Sequence, residues 1–443
     1  MRTNSPLKST ILPAHGHKVP QLPYLNSIDH SYGNHRKRKS SLQCWSSPIR
    51  KLQIESVDSI ERIGRAEWDS CHDGSNPFVK YDFLHALELS KSACARSGWS
   101  GHHLLARDGQ TNELVIASPM YLKSHSYGEY VFDQGWAEFC EMKLRQRYYP
   151  KLQSSVPFTP CSAPKILVKP GVSSREHLME SFIAAMRELP KATGISSLHM
   201  TFNTEEEMQK MANGGFLTRF GVQFHWINSS PLRNNQKYHS FDDFLGVLKQ
   251  KRRKSIRQER KRVLNSVHIR QHTGDDVRRK ELWDAFYACY KTTVDRKWGV
   301  PYLTRDFFTI ISETMFDDIL LVMAYSDKNC TKPIAGALNF IGKDVLFGRN
   351  WGCLPGTTID CLHFELCYYQ AIEYAIANGL SKIEAGAQGE HKVRRGYVPT
   401  ITHSNHLIEN SKLSSAVEEF LAREKKDIAA YAEALVAYES PYK

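Results

Sequence analysis

The sequence has no uninterrupted apolar run long enough to cross a bilayer. A transmembrane helix needs roughly 18 or more such residues, and here charged residues interrupt every apolar stretch after a few positions. We therefore expect a soluble, globular protein without a membrane-spanning helix. The chain has 443 residues, 41% hydrophobic and 11% aromatic, which is enough for two or three domains with buried cores.

Paired cysteine motifs are also absent. The ten cysteines include no C-x-x-C pair, and the closest set, Cys353, Cys361 and Cys367, lacks the spacing of zinc ligands. We therefore expect reduced, mostly buried thiols and no metal site. Cys361 and Cys367 fall in an apolar helical segment, where a small hydrophobic role is favoured over a catalytic one.

Acidic residues are nearly absent from the first 50 positions. This segment holds eight Lys or Arg residues and one acid, Asp29, and it is rich in Ser, Pro, His and Asn. It lacks the apolar core of a secretory signal, so residues 1–48 are predicted to be a disordered organelle transit peptide. The abundant Ser favours a plastid, with a mitochondrion as second choice; an ordinary disordered tail is the alternative.

The second basic segment is KRRKSIRQERKR, from Lys251 to Arg262, with eight bases and one acid. Together with residues 1–50 it accounts for more than the whole net charge of +12. A helix of this composition could lie along a tRNA, where each neutralised phosphate adds a salt-dependent increment to affinity. An exposed, charged helix without a nucleic-acid partner is the alternative.

From about residue 52 onward, strand-like and helix-like patterns alternate. Residues 52–232 contain the strand-like segments ELVIASPMYLK and EYVFDQGW, and residues 238–443 contain PIAGALNF and DVLFGRNWG. The second segment of each pair ends in a Trp beside a Gly, which indicates an internal repeat. We predict an α/β fold with mixed sheets, built from two copies of one unit. Ser240, with Asp243 three residues later, is expected to cap the first helix of the second unit.

Several segments resemble the FemAB-like group, a family of tandem GNAT acyltransferase domains labelled peptidoglycan biosynthesis or recognition. They include NPFVKYDFLHALELS, FDDFLGVLKQKRRKSIRQER, RKWGVPYLTRDFF, GRNWGC and EAGAQGEHKVRRGY, and the resemblance covers roughly residues 52–440. It implies two tandem GNAT-like domains, with the catalytic site in the second. The implied activity is that of an N-acyltransferase, which moves an acyl or aminoacyl group to an amine of a peptide or small molecule.

The resemblance leaves the acyl donor open between acetyl-CoA and aminoacyl-tRNA. Relatives with established chemistry transfer an amino acid from aminoacyl-tRNA to a peptidoglycan precursor peptide. Two other classes of function stay open at this point. One is a non-catalytic module of the same fold that binds a glycan peptide or RNA, and the other is a structural or assembly factor.

The stretch EAGAQGEHKVRRGYVP, which begins at Glu384, has an unusual density of polar groups. A free amine with a pKa of about 10.4 must lose a proton before it attacks a carbonyl, and a carboxylate can accept that proton. Gly386 and Gly389 would let backbone N–H groups approach an oxyanion, while guanidinium and ammonium groups would bind a phosphate or carboxylate. A solvated basic turn is the alternative.

Three other places carry candidate residues. His363 and Glu365 are unusual in an apolar helix and form either a satisfied buried pair or part of the site. RNWGCL, from Arg349 to Leu354, matches the first and fourth positions of the Q/R-x-x-G-x-G/A loop that binds the coenzyme A pyrophosphate in GNAT enzymes. Leu354 departs from that pattern, which favours a different donor. A polar, aromatic patch around His125 is a candidate acceptor site, with ordinary loop polarity as the alternative.

The sequence thus yields two sets of candidate residues. The candidate catalytic residues are Glu384, Glu390, His391 and Glu365. The candidate substrate-binding residues are Arg349, Trp351, His363, Gln388, Lys392, Arg395, His125 and Tyr127.

Overall fold

The computed structural model describes residues 52–230, 234–297, 299–386 and 389–443. The predicted transit peptide and Gln388 lie outside the described residues. Within these ranges, no helix is both long and apolar enough to cross a membrane.

The described chain contains fifteen strands. In chain order they are β1 (Leu52–Val57), β2 (Trp99–Gly101), β3 (His103–Asp108), β4 (Leu114–Ser118), β5 (Met120–Lys123), β6 (Lys151–Ser154), β7 (Leu167–Val168), β8 (Ser197–Asn203), β9 (Leu217–Ile227), β10 (His268–His272), β11 (Ile319–Tyr325), β12 (Pro333–Ile341), β13 (Val345–Cys353), β14 (Lys382–Glu384) and β15 (Val398–Ile408).

The α-helices alternate with these strands. They are α1 (Arg65–Asp69), α2 (Tyr81–Leu89), α3 (Gln134–Glu138), α4 (Arg175–Thr193), α5 (Glu205–Asn213), α6 (Phe241–Gly246), α7 (Gln250–Leu264), α8 (Lys280–Lys297), α9 (Arg305–Thr314), α10 (Leu362–Phe364), α11 (Gln370–Ala377) and α12 (Ser411–Glu439). A π-helical turn, Glu365–Tyr369, joins α10 to α11, so that residues 362–377 form one continuous helix, here called the central helix.

Local sequence signals set several helix starts. The Ser240 hydroxyl accepts a hydrogen bond from the Asp243 N–H at 3.1 Å, so the predicted cap of α6 is confirmed. Thr304 caps α9 in the same way through the Phe307 N–H. Each cap satisfies one of the backbone N–H groups that a helix start otherwise leaves without a partner.

Eleven strands form one mixed sheet in the order β10-β11-β12-β13-β14-β9-β15-β8-β6-β5-β2, and β1, β3, β4 and β7 form a second sheet. In the first unit β5 and β6 are antiparallel and β6 and β8 are parallel. In the second unit β12 and β13 are antiparallel and β13 and β14 are parallel. The predicted repeat is therefore present in the strand topology, and the predicted mixed α/β fold is confirmed.

One predicted strand is wrong. EYVFDQGW is not extended, because turns occupy the chain up to Asp133 and α3 begins at Gln134. Its aromatic residues resemble those of a strand, but they belong to a long connection between β5 and β6. The counterpart of β13 is β6, which begins at Lys151, rather than the segment that the sequence comparison paired with it.

The final strands of the two units are exchanged. β9 ends the first unit but pairs with β14 of the second, with His225 opposite Glu384. β15 ends the second unit but pairs with β8 of the first, with His406 opposite His199. β9 and β15 also pair with each other. Each half of the sheet is thus completed by a strand from the other half.

Apolar packing also joins the two units. Phe78 of the first unit has its ring centroid 5.2 Å from that of Phe340 and 5.0 Å from that of Phe347, both in the second unit. Phe83 of α2 meets Phe307 of α9 at 5.7 Å. Such edge-to-face pairs add to the stabilisation that burial of their apolar surface provides. The two units therefore share one of the hydrophobic clusters of the fold.

A buried histidine pair crosses the exchanged strands. The Nδ1 atoms of His199 and His406 are 2.8 Å apart, and their Nε2 atoms bond the hydroxyls of Ser197 and Ser404 at 2.8 and 3.0 Å. Burial lowers the pKa of His199 to about 3 and that of His406 well below its usual value. Both imidazoles are therefore neutral at physiological pH, and each can donate and accept one hydrogen bond.

This pair predicts loss of stability in acid. Unfolded histidines have a pKa of about 6.5, so below that pH the unfolded state binds more protons than the folded state. The two residues should lower the free energy of unfolding by about 2.7 kcal/mol per pH unit between pH 6 and pH 4. We expect His199→Gln/His406→Gln to remove this part of the slope in urea titrations, and the exposed control His239→Gln to retain it. Equal slopes in all three proteins would contradict the assignment.

Candidate functional site

The segment after β14 folds into a compact turn. It contains a short 3₁₀ helix, Glu390–Arg395, between Gly389 at φ 118° and Gly396 at φ 93°. Only glycine adopts such backbone angles without strain. At Gly396 a Cβ atom would also approach the Phe244 ring to 2.6 Å. The two glycines thus allow the polar side chains of this helix to lie against α6 and α7.

Lys392 points into the protein from this turn. Its ammonium donates to the carbonyls of Ala385 and Gly386, at 2.6 and 3.1 Å, and the side chain is buried. Burial lowers its pKa to about 8. The structure therefore places Lys392 where it ties the start of the turn to the 3₁₀ helix, and its predicted role in binding substrate stays a prediction.

His391 is exposed on the same helix and meets an aromatic cluster. Its Nε2 lies 2.9 Å from the Tyr368 hydroxyl. The His363 ring is 6.0 Å from the His391 ring and 5.2 Å from the Trp351 ring, measured between centroids. The structure thus brings three predicted site residues together and adds Tyr368, which is buried in the π-helical turn. Such turns within α-helices are frequent at functional sites.

Next to His391 lies a cavity of about 280 Å³ between α7 and the 3₁₀ helix. Its lining includes Arg252, Glu259, Phe364, His391, Arg394 and Arg395. Three guanidinium groups against one carboxylate give this cavity a positive balance, which suits an anionic ligand. We call it the α7 cavity.

Arg395 is the most buried of the three arginines. Its Nη2 bonds both carboxylate oxygens of Glu259, at 3.0 and 2.9 Å, and its Nη1 bonds the His391 carbonyl at 2.9 Å. Its guanidinium carbon lies 3.4 Å from the centre of the Phe364 ring, and the Tyr369 hydroxyl donates to Glu259. The Arg395 Nε has no hydrogen-bond partner among the described residues. Arg395 is thus held rigidly with one donor unused.

Glu365 belongs to a different network. It is fully buried and accepts hydrogen bonds from Arg260 at 3.1 and 2.9 Å and from Gln370 at 2.8 Å. Arg260 also binds Glu373 at 2.6 and 2.9 Å. These contacts fix α7 against the central helix and thereby form one wall of the α7 cavity. The structure thus shows the satisfied buried arrangement, while the catalytic role of Glu365 stays a prediction.

Arg349 and Glu384 bind a segment of the first unit. Arg349 donates to the Phe158 carbonyl and lies 3.9 Å from the Cys161 sulfur. Glu384 is buried and accepts from the Ser162 N–H at 3.2 Å and from Lys382 at 2.7 Å. Neither residue lines the α7 cavity. Both hold the two units together at the point where β13 and β14 end their pairing.

The segment from Arg349 to Leu354 does not form the loop that its partial match to the coenzyme A pattern suggests. Five of the six residues lie in β13, where Gly352 pairs with Gly336, and the Leu354 N–H bonds the Ile334 carbonyl at 2.9 Å. A Cβ at Gly352 would lie 2.2 Å from the Cys289 backbone of α8. This glycine permits close packing of helix on strand and is not part of a phosphate-binding loop.

Other candidates lie elsewhere. His125 and Tyr127 lie in the connection after β5, where the Tyr127 N–H bonds the His125 ring at 3.2 Å and the Tyr127 side chain is exposed. Neither lines the α7 cavity. Glu390 accepts from the Tyr431 hydroxyl of α12 at 2.6 Å. The roles proposed for these three residues stay predictions.

The basic helix α7 uses part of its charge internally. Arg257 binds Asp242 at 2.8 Å, and Arg260 is committed to the central helix. Lys251, Lys254 and Lys261 remain exposed. The helix therefore packs on the fold through some bases and presents others to solvent, and its contact with tRNA stays a prediction.

The Glu365 network generates a test of structural role. Glu365→Gln removes one of the two charges that hold Arg260, so we expect a loss of about 1.5–3 kcal/mol in the free energy of unfolding. Glu373→Gln is the matched control, and its loss should be smaller because Glu373 is partly exposed. Urea unfolding of both variants measures the difference. Wild-type stability in Glu365→Gln would refute the structural role.

Comparison with known proteins places these features in context. Among solved structures, FemX is 12% identical, with 80% of this chain and 98% of that chain covered and a TM-score of 0.49. A tandem GNAT protein from the clavulanic acid biosynthesis pathway is 11% identical, with 81% and 98% covered and a TM-score of 0.42. The C-terminal domain of a putative lysylphosphatidylglycerol synthetase from Agrobacterium fabrum is 8% identical, with 82% and 95% covered and a TM-score of 0.47.

No curated protein sequence matches the chain. The FemAB-like family, described as peptidoglycan biosynthesis/recognition, matches residues 59–443. This match includes both units and the whole segment from β14 to α12. The chain therefore belongs to the FemAB-like family, as its resembling segments predicted.

Proposed function

We propose that this protein is an N-acyltransferase that moves an acyl or aminoacyl group from an activated, phosphate-bearing donor to an amine. One observation carries the proposal: His391, which is hydrogen-bonded to Tyr368, lines a cavity that presents three guanidinium groups. The pair offers groups that can move a proton, and the cavity offers groups that can bind an anion. Membership of the FemAB-like family also supports an acyl-transfer reaction.

In the proposed reaction the amine nitrogen attacks the acyl carbonyl, and a C–N bond forms. The C–O or C–S bond to the donor breaks, and its electron pair leaves with the donor oxygen or sulfur. The amine proton passes to the His391 imidazole, because histidine is the side chain that most often serves as a general base. Tyr368 orients the imidazole through the hydrogen bond at 2.9 Å. Lys392 keeps the turn that carries His391 in place.

The second part of the proposal concerns the identity of the acyl donor. Gly352 pairs with Gly336 in the β12–β13 ladder, and the Leu354 N–H bonds the Ile334 carbonyl. These backbone N–H groups are therefore not available to a coenzyme A pyrophosphate. This supports aminoacyl-tRNA ahead of acetyl-CoA. Lys251, Lys254 and Lys261 of α7 are exposed and would add electrostatic attraction to a polynucleotide.

The acceptor and the compartment rest on sequence. The family description, peptidoglycan biosynthesis/recognition, supports a peptide amine as the acceptor. The plastid location inferred from residues 1–48 stays a prediction, with a mitochondrion as second choice. A fusion of this segment to a fluorescent protein that remained in the cytosol would refute both locations.

We expect His391→Ala to lower the rate of acyl transfer about 100-fold or more, because a positioned acid–base group contributes this much or more. The assay follows labelled acyl transfer to peptide amines from acetyl-CoA and, separately, from aminoacyl-tRNA. His239→Ala, at an exposed histidine outside the cavity, is the matched control and should retain full rate. Melting temperatures of both variants should equal that of the wild type.

Two outcomes would count against the proposal. If His391→Ala transfers as fast as the wild type from its preferred donor, the assignment of the site is wrong. If the wild type transfers from neither donor but binds a glycan peptide or RNA, the protein is a binding module of the same fold.

A further inference from the structure

The C-terminal end of α12 places a carboxylate beside the α7 cavity. Glu439, the last residue of α12, accepts a hydrogen bond from the Arg394 Nε at 3.1 Å and lies 3.7 Å from the Arg252 Nη2. Both arginines line the cavity. One carboxylate is therefore shared by two of the three guanidinium groups that an anionic ligand would use.

The position of Glu439 is fixed by the residues that follow it. The Tyr442 hydroxyl donates to the Gly396 carbonyl at 2.6 Å. The Lys249 N–H bonds the Pro441 carbonyl at 2.8 Å, and the Lys443 N–H bonds the Val247 carbonyl at 3.2 Å. The last residues thus attach to both the start of α7 and the end of the 3₁₀ helix. Glu439 is held near the cavity by backbone contacts and not only by its own ion pairs.

The third guanidinium group is that of Arg395, and one of its hydrogen-bond donors is unused. Arg395 is more than nine-tenths buried, lines the cavity and has an Nε without a hydrogen-bond partner among the described residues. A buried donor without a partner is unfavourable. The cavity lining therefore includes one arginine with a buried, unused donor and two arginines whose shared partner is a partly exposed carboxylate.

We propose that the α7 cavity binds phosphate groups, and that Glu439 occupies Arg252 and Arg394 until a phosphate displaces it. This rests on the proposed function, because the phosphate would belong to the acyl donor. A phosphate group offers three acceptor oxygens and more charge than one carboxylate, so it can bind the guanidinium groups of Arg394 and Arg252 together. Glu439 then acts as a built-in competitor that weak anions do not displace.

Displacement of Glu439 by a phosphate requires only a movement of the Glu439 side chain. Glu439 is partly exposed, with 38% of its side chain accessible, and can turn toward solvent without moving buried atoms. The backbone contacts of Pro441 and Tyr442 can persist while it does so. Binding of phosphate is therefore expected to leave the fold and the attachment of the C-terminal residues unchanged.

Calorimetric titration of the full chain with inorganic pyrophosphate tests the inference. Glu439→Gln should bind pyrophosphate about fivefold more tightly than the wild type, the factor that corresponds to an exposed ion pair of about 1 kcal/mol. Arg394→Gln should bind pyrophosphate at least about fivefold more weakly than the wild type does. Glu433→Gln, which removes an exposed carboxylate of the same helix, is the matched control and should bind as the wild type does.

A second variant guards against an indirect effect on folding. Glu439→Asp keeps the charge on a shorter side chain and should bind pyrophosphate with an affinity between those of the wild type and Glu439→Gln. Coenzyme A and a short single-stranded RNA serve as further ligands, and the one with the larger gain in Glu439→Gln identifies the source of the phosphate. Equal affinity in the wild type and Glu439→Gln, or no binding by either, would overturn the inference.

The outcome is separate from that of the transfer assay. Tighter pyrophosphate binding by Glu439→Gln would support the competitor role even if no donor gave transfer. Transfer activity with no effect of Glu439→Gln on pyrophosphate binding would overturn the competitor role and leave the proposed function standing.

Discussion

The exchange of β9 and β15 is the constraint on which the rest of the structure depends. β14 is only three residues long and has β13 on one side, so its other edge needs β9 from the first unit. The turn that carries His391 and Lys392 connects β14 to β15, and both of these strands pair across the unit boundary. The geometry of the candidate site is thus set by both halves of the chain, although every residue lining the α7 cavity belongs to the second.

Buried charges specify how the elements meet. Arg260 joins α7 to the central helix through Glu365 and Glu373, and in the first unit Lys151 binds Glu129 at 2.7 Å and also binds Asp133. Such networks give little net stability, because desolvation offsets much of the attraction. They nevertheless disfavour other arrangements, since a misplaced helix would leave a buried charge without its partner.

Sequence patterns predicted the parts of this structure that depend on local order. The alternation of strands and helices, the division into two units and the Ser240 cap follow from periodicity and hydrogen bonding over a few residues. The strand exchange could not be predicted, because the pairing of His406 with His199 joins residues far apart in the chain and leaves no periodic signal. EYVFDQGW failed because its aromatic residues belong to a connection and to α3 instead of a strand.

The sequence pointed to only some of the residues around the candidate site, again because only local patterns can be recognised in it. His391 and Arg395 were found because glycines and charges cluster around them, whereas Arg252 and Glu259 come from a helix more than a hundred residues earlier. Glu259 is the one acid within the basic stretch of α7, a signal that could have marked it as a partner for a distant cation.

Strand exchange also has a consequence for biosynthesis. β8 can pair with β15 only after residues 398–408 have left the ribosome, so one sheet edge of the first unit stays unpaired and open to chaperones while the second unit is synthesised.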